Sequence, residues 1–226
     1  MDGNPYAEFI FTEPKWPFEL GITLNAELYR YDLSSVVENG FVTTKAVGEK
    51  KYLQEETYLE KNHERIAAIA TKLNGRNEID TIKKIYDFVL GTMEYGGYNP
   101  DNVGAVKALE LKKGDCTEYT DLMVTLCRAK NIAARHTYGY TTEFGDTPKH
   151  SWVEVYTADY GWVPFDPTLG DSRKAAFDRL KPIYIYFSTI RNDEQLNNYQ
   201  YFAYWYWGDA IKVEDTFTVR QKGHGE

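Results

Sequence analysis

The run His150-Ser151-Trp152-Val153-Glu154-Val155-Tyr156-Thr157, followed by Ala158-Asp159-Tyr160-Gly161 and Trp162-Val163-Pro164-Phe165, constrains the fold more than any other part of the chain. Two stretches rich in β-branched and aromatic residues flank a short turn containing Asp and Gly, the pattern of an antiparallel hairpin. If the hairpin pivots on Asp159, His150 lies opposite positions 166 to 168. Positions 150 and 166 have the same parity, so without a bulge His150 and Asp166 share a face of the sheet. Glu154 shares that face too, but four residues along a strand is about 13 Å, too far to orient an imidazole.

Upstream of this hairpin the apolar period is helical. Ile66, Ile69, Ala70 and Leu73 recur at helical spacing and stop before Asn74-Gly75, a C-cap signal. Ile79, Ile82, Ile85, Tyr86 and Val89 mark a second helix ending near Gly91, and Ala105 to Leu111 a short third one. Gly114 then breaks the chain. Cys116 to Lys130 resumes with Leu122, Met123, Leu126, Cys127 and Ala129 as an apolar face, and Asp115 and Glu118 stand at capping-box spacing, which puts Cys116 at the first helical position. After Asn131 the period becomes two: strands are expected at 133–142, 150–157, 162–165, 183–190, 199–207 and 213–219. Helices first and an antiparallel sheet later is an α+β order.

The first fifty residues read as a β-rich extension. Leu20, Ile22, Leu24, Ala26 and Leu28 alternate with other residues at the period of a half-buried strand, and Glu38-Asn39-Gly40 between Val36-Val37 and Phe41-Val42 is a turn signal. The expected organisation is therefore an extension over 1–50 and a core over 51–226 whose last strands complete the sheet. The aromatic run Tyr199, Tyr201, Phe202, Tyr204, Trp205, Tyr206, Trp207 fits a strand with aromatics on both faces better than a stacking groove for substrate.

Composition narrows the function class. A net charge of -8 over 226 residues, without a basic patch, argues against nucleic acid as partner. No apolar stretch approaches the roughly 18 residues of a membrane span, and Met1-Asp2-Gly3-Asn4-Pro5 does not open a signal peptide. As written, the chain reads as soluble and cytoplasmic, or as an exported protein whose signal has been trimmed. No Cys and His spacing resembles a zinc site, and neither a calcium loop nor a Gly-rich phosphate loop is present in the sequence, so no metal or cofactor is expected.

The chain has two cysteines. On one helix, Cys116 and Cys127 would stand roughly 16 Å apart along the axis, beyond the ~7 Å reach of a disulfide, so both are expected as free thiols. Cys127 lies in the apolar face and reads as core. Cys116 differs, because unpaired N–H groups at a helix N-terminus stabilise a thiolate, although the adjacent Asp115 opposes this. A thiol at Cys116, an imidazole at His150 and a carboxylate at Asp166 are the parts of a nucleophilic acyl-transfer site. His63 is expected on the charged side of a helix and His224 in a loose tail, which leaves His136 as the one rival base.

These motifs resemble a known family. Gly114-Asp115-Cys116-Thr117-Glu118-Tyr119-Thr120-Asp121-Leu122, then Cys127-Arg128-Ala129-Lys130-Asn131-Ile132-Ala133-Ala134-Arg135, Gly139-Tyr140, His150-Ser151-Trp152-Val153-Glu154-Val155 and Gly161-Trp162-Val163-Pro164-Phe165-Asp166-Pro167-Thr168 are similar to the core of the transglutaminase-like superfamily. The resemblance spans roughly residues 60 to 170. It implies a papain-like α+β fold, with Cys116 as nucleophile, His150 as general base and then acid, and Asp166 fixing the imidazole tautomer. It also implies an oxyanion held by the Cys116 N–H and one upstream donor, for which Tyr95 is the candidate, while Trp152 is the candidate substrate contact. A peptide or protein substrate follows. Hydrolysis is favoured over amine transfer, and a non-catalytic peptide- or glycan-binding module of the same fold is the competing class.

Overall fold

A computed structural model describes residues 5–34, 49–143 and 149–220. In chain order its strands are β1 (Tyr31–Asp32), β2 (Glu94–Tyr95), β3 (Lys113–Gly114), β4 (Ala134–Thr141), β5 (Lys149–Thr157), β6 (Gly161–Phe165), β7 (Arg179–Leu180) and β8 (Tyr184–Ser188). Its helices are α1 (Glu64–Ala70), α2 (Glu78–Thr92), α3 (Gly104–Leu111), α4 (Cys116–Ala129) and α5 (Pro167–Asp171). The expected α+β architecture is what forms, with an antiparallel sheet in the order β6-β5-β4-β8 and two small two-stranded pairs, β1 with β7 and β2 with β3.

Helix α4 is the centre of the molecule. Every residue from Thr117 to Arg128 is buried, because α1, α2 and α3 pack around it on one side and β4 and β5 on the other. Its apolar residues Leu122, Met123 and Leu126 join Ile82, Ile85 and Val89 of α2 and Val153, Val155 and Val163 of the sheet in one core. Each such side chain, fully withdrawn from water, stabilises the fold by roughly 1.5–3 kcal/mol. The other face of the sheet is covered as well: Trp152 and Tyr184 pack there against Leu169, Leu180 and Ile183. Alternate residues of β5 thus serve two cores, as the two-residue period of a strand requires.

The hairpin forms in the expected register. Val153 faces Phe165 and Thr157 faces Gly161 without a bulge, so the next residue, Asp166, emerges opposite Trp152 and diagonal to His150. Gly139 faces His150 from the neighbouring strand. A Cβ at residue 139 would lie 2.6 Å from the Trp152 indole and 2.0 Å from the Ile185 carbonyl, so only glycine lets β8 and that ring close over β4.

Three expectations fail. Residues 20–28 form no strand, and Leu20, Ile22 and Leu24 stand exposed; alternation marks a half-buried strand only where a neighbour supplies the ladder, and among the described residues none pairs with this segment. The segments 199–207 and 213–219 form no strands either, since the sheet position beside β4 is occupied by β8 and, among the described residues, neither segment pairs with a strand through its main chain. His63 is not within a helix but caps α1. The expected turn at 38–40 and His224 lie outside the described residues. The short strand β1 ties residues 31–32 to β7, and Leu33 is buried in the main core.

Candidate active site

Cys116 opens helix α4, where the capping box forms in full. Asp115 accepts the Thr117 N–H at 2.7 Å, and Glu118 accepts the Asp115 N–H at 3.0 Å. The Asp115 carboxylate also accepts the Asn99 N–H at 3.0 Å, so the acid beside the thiol is committed to main-chain donors. Gly114 is required for this closeness, since a Cβ there would lie 2.4 Å from the Glu118 side chain. Cys116 is partly exposed, while Cys127 is wholly buried and its thiol is pushed up by that burial.

His150 bridges the other two residues. Its Nε2 stands 2.7 Å from Asp166 Oδ2, and the ring also hydrogen-bonds Cys116, which leaves Nδ1 for the sulfur. Burial lowers the imidazole pKa, but the Asp166 carboxylate and the Cys116 sulfur outweigh it and raise His150 to about 10. The ring therefore carries its proton across neutral pH and presents an imidazolium to Cys116.

Asp166 is held from four directions. It caps α5, accepting the Leu169 N–H on Oδ1 at 2.8 Å, while Oδ2 takes the Tyr184 hydroxyl at 2.8 Å together with His150. Its main-chain carbonyl accepts the Tyr86 hydroxyl at 3.3 Å. Tyr184 had no signal in the sequence, because its strand reaches Asp166 only through the pairing of β8 with β4.

Tyr95, the expected oxyanion donor, stands on β2 beside the strand that leads into Cys116. It pairs with Gly114 in the β2–β3 ladder, and its hydroxyl is raised first by burial and then by the charges of Cys116 and Asp115. Trp152, the expected substrate contact, is 0% exposed and stacks behind His150 at 6.1 Å between centroids. The correction follows from strand parity: Trp152 shares the His150 face, which Leu169 and Tyr184 cover, so it backs the imidazole and meets no ligand.

The remaining candidates separate cleanly. His136 is buried against α4, with Nδ1 at 2.8 Å from Asp121, whose carboxylate Arg191 grips through Nε and Nη2 at 2.8 and 2.9 Å. Burial, aided by Arg191, holds His136 down at about 4, so it is a neutral structural residue and no rival to His150. Glu154 is neutralised by Arg135 at 2.7 Å on the same strand pair. Of the aromatic run, Tyr201 docks beside the site, donating to the carbonyls of Gly139 and His150 at 3.1 and 3.3 Å, while Trp205 and Trp207 project into solvent.

A helix opening on cysteine, packed on an antiparallel sheet that presents histidine and aspartate from adjoining strand ends, defines a transglutaminase-like core. Residues 67–167 match the family model of the transglutaminase-like superfamily. The uncharacterized protein YebA of Bacillus subtilis strain 168 is 30% identical over 181 residues, which is 69% of this chain and 24% of YebA. A candidate cysteine protease from Cytophaga hutchinsonii shares the fold at a TM-score of 0.53 with 20% identity, over 70% of this chain and 52% of the other. The periplasmic domain of TgpA from Pseudomonas aeruginosa aligns at a TM-score of 0.46 with 21% identity, over 56% of this chain and 48% of that one. The chain thus spans about a quarter of YebA and about half of the Cytophaga protein. Among the described residues no helix is long and apolar enough to cross a membrane, and no group of three or more His, Cys, Asp or Glu is placed to hold a metal ion.

Proposed function

We propose that this domain is a cysteine-dependent acyl-transfer enzyme that opens peptide or carboxamide bonds through a thioester on Cys116, with water as the acceptor. One observation carries the reading: His150 stands between Cys116 and Asp166 with both ring nitrogens committed, one to the carboxylate at 2.7 Å and the other to the thiol. The Cys116 proton already rests on the His150 imidazolium, and Sγ adds as the thiolate to the carbonyl carbon. The oxyanion is received by the Cys116 N–H at the start of α4 and by the Tyr95 hydroxyl. As the tetrahedral species collapses, the C–N bond breaks and the His150 imidazolium protonates the leaving amine. Water, deprotonated by His150, then attacks the thioester and releases the acid. Asp166 holds the ring orientation throughout, supported by Tyr184.

A competing reading, a peptide- or glycan-binding module, draws on the exposed aromatics Tyr199, Tyr204, Trp205 and Trp207. Thiol reactivity separates the two. At about pH 6, where an ordinary thiol is almost fully protonated, iodoacetamide is expected to alkylate Cys116 far faster than Cys127. Cys116→Ala is expected to abolish hydrolysis and amine incorporation with the fold retained by circular dichroism. Equally slow labelling of both thiols, or turnover by Cys116→Ala, would overturn the enzymatic reading. Turnover only with an added primary amine would replace hydrolysis by cross-linking.

A further inference from the structure

The β2–β3 pair lies immediately before the nucleophile, and one of its edges is open. Glu94 donates its N–H to Lys112 O at 2.9 Å, and Gly96 donates to Gly114 O at 2.8 Å. Successive residues of a strand direct their main-chain groups to opposite edges, so the N–H and C=O of Tyr95, between these two, point away from β3. Among the described residues no hydrogen bond ends on either group. Tyr95 is 52% exposed, and the next two residues, Gly96 and Gly97, have no side chains to cover the edge. Gly97 has φ +80, which ends the extended run, so the open edge is about one residue long.

Position gives this edge its meaning. Tyr95 faces Gly114, and Cys116 follows two residues later, at roughly 7 Å if the chain is extended. An unpaired donor and acceptor on one residue match the N–H and C=O of one residue in an extended peptide, the geometry of strand addition. A small carboxamide or a glycan presents no such pair at strand spacing.

We propose that Tyr95 is the docking strand for the acyl donor: its main-chain N–H and C=O pair with one residue of an extended polypeptide and lay the carbonyl to be attacked over Cys116. The inference rests on the acyl-transfer reading above and narrows its substrate from any carboxamide to a polypeptide main chain. Because the pairing uses backbone groups, it holds the donor without regard to sequence and leaves selectivity to the flanking side chains.

The test uses the intact protein and two activated esters, acetyl-tetraalanine p-nitrophenyl ester and p-nitrophenyl acetate. In each, Cys116 Sγ bonds to the ester carbonyl carbon, and p-nitrophenolate leaves with the electron pair and is read by its burst. Replacing one alanine at a time by N-methylalanine is expected to slow acylation about tenfold at a single position and less than about twofold elsewhere, the size of one hydrogen bond lost. In the protein, Tyr95→Pro removes the outward N–H while leaving both β2–β3 bonds, and is expected to lower the ratio of the peptide rate to the acetate rate about tenfold. Tyr95→Phe keeps that N–H and is expected to keep the ratio. A uniform response to N-methylation, or a peptide ester no faster than the acetate, overturns the docking strand and leaves the acyl-transfer reading intact. No burst with either ester overturns both.

Discussion

Tyr184 donates its hydroxyl hydrogen to Asp166 Oδ2, the same oxygen that receives His150 Nε2, at 2.8 and 2.7 Å. Two buried donors thus converge on one carboxylate oxygen, and the aspartate is aimed by a residue from the far edge of the sheet. Tyr184→Phe is expected to cost about 2 kcal/mol, the range for a buried hydrogen bond to a charged group, and to lower Tm by roughly 4–8 °C. Acylation should slow as the imidazole loses its fixed partner. Calorimetry with burst kinetics checks both, and an unchanged burst rate would confine Tyr184 to a structural role.

The raised pKa of His150 gives stability a definite pH dependence. Its value is 6.5 in the unfolded chain and about 10 in the folded one, so its contribution is complete below about pH 6.5 and is lost as pH rises through 10. Asp166→Asn removes the main attraction and is expected to flatten stability between those limits. Urea midpoints at several alkaline pH values measure the slope; parallel profiles for the two proteins would contradict the ion pair.

His136 works in the opposite direction. Its folded value of about 4 lies below its unfolded 6.5, so the contribution is complete above about pH 6.5 and is lost as pH falls through 4. His136→Gln, which keeps a donor for Asp121 without a titrating ring, is expected to make the acid limb shallower. The measurement is the urea midpoint between those pH values, and an unaltered limb would place the acid sensitivity elsewhere.

Gly139→Ala is expected to destabilise by about 1–3 kcal/mol through overpacking. The added methyl meets the Ile185 carbonyl and the Trp152 ring, so β8 or the indole behind His150 must shift. A falling Trp152 near-ultraviolet signal and slower Cys116 alkylation should accompany the loss. Wild-type alkylation in a destabilised variant would mean that the indole does not position the imidazole.

Local patterns made part of the site legible. The capping box at Asp115 and Glu118 placed Cys116 at a helix start, and the turn at 158–161 fixed the register that brings Asp166 to the His150 face. Both rest on contacts a few residues apart. The long-range partners had no such signature: Tyr184 reaches Asp166 only because β8 returns to pair with β4, and Arg191 reaches Asp121 across 70 residues. Trp152 was misread because parity tells which face a residue shares but not what covers that face. The strands expected at 20–28 and 199–207 show the same limit, since a period of two signals readiness to pair and cannot supply the partner.

Asp166 both orients the imidazole and caps α5. A chain that frays at residues 167–171 therefore releases the carboxylate in the same motion, and His150 loses its partner before the sheet opens. The alkylation rate of Cys116 becomes a local gauge of order at that corner, able to report a partial opening that circular dichroism of the whole molecule would pass over.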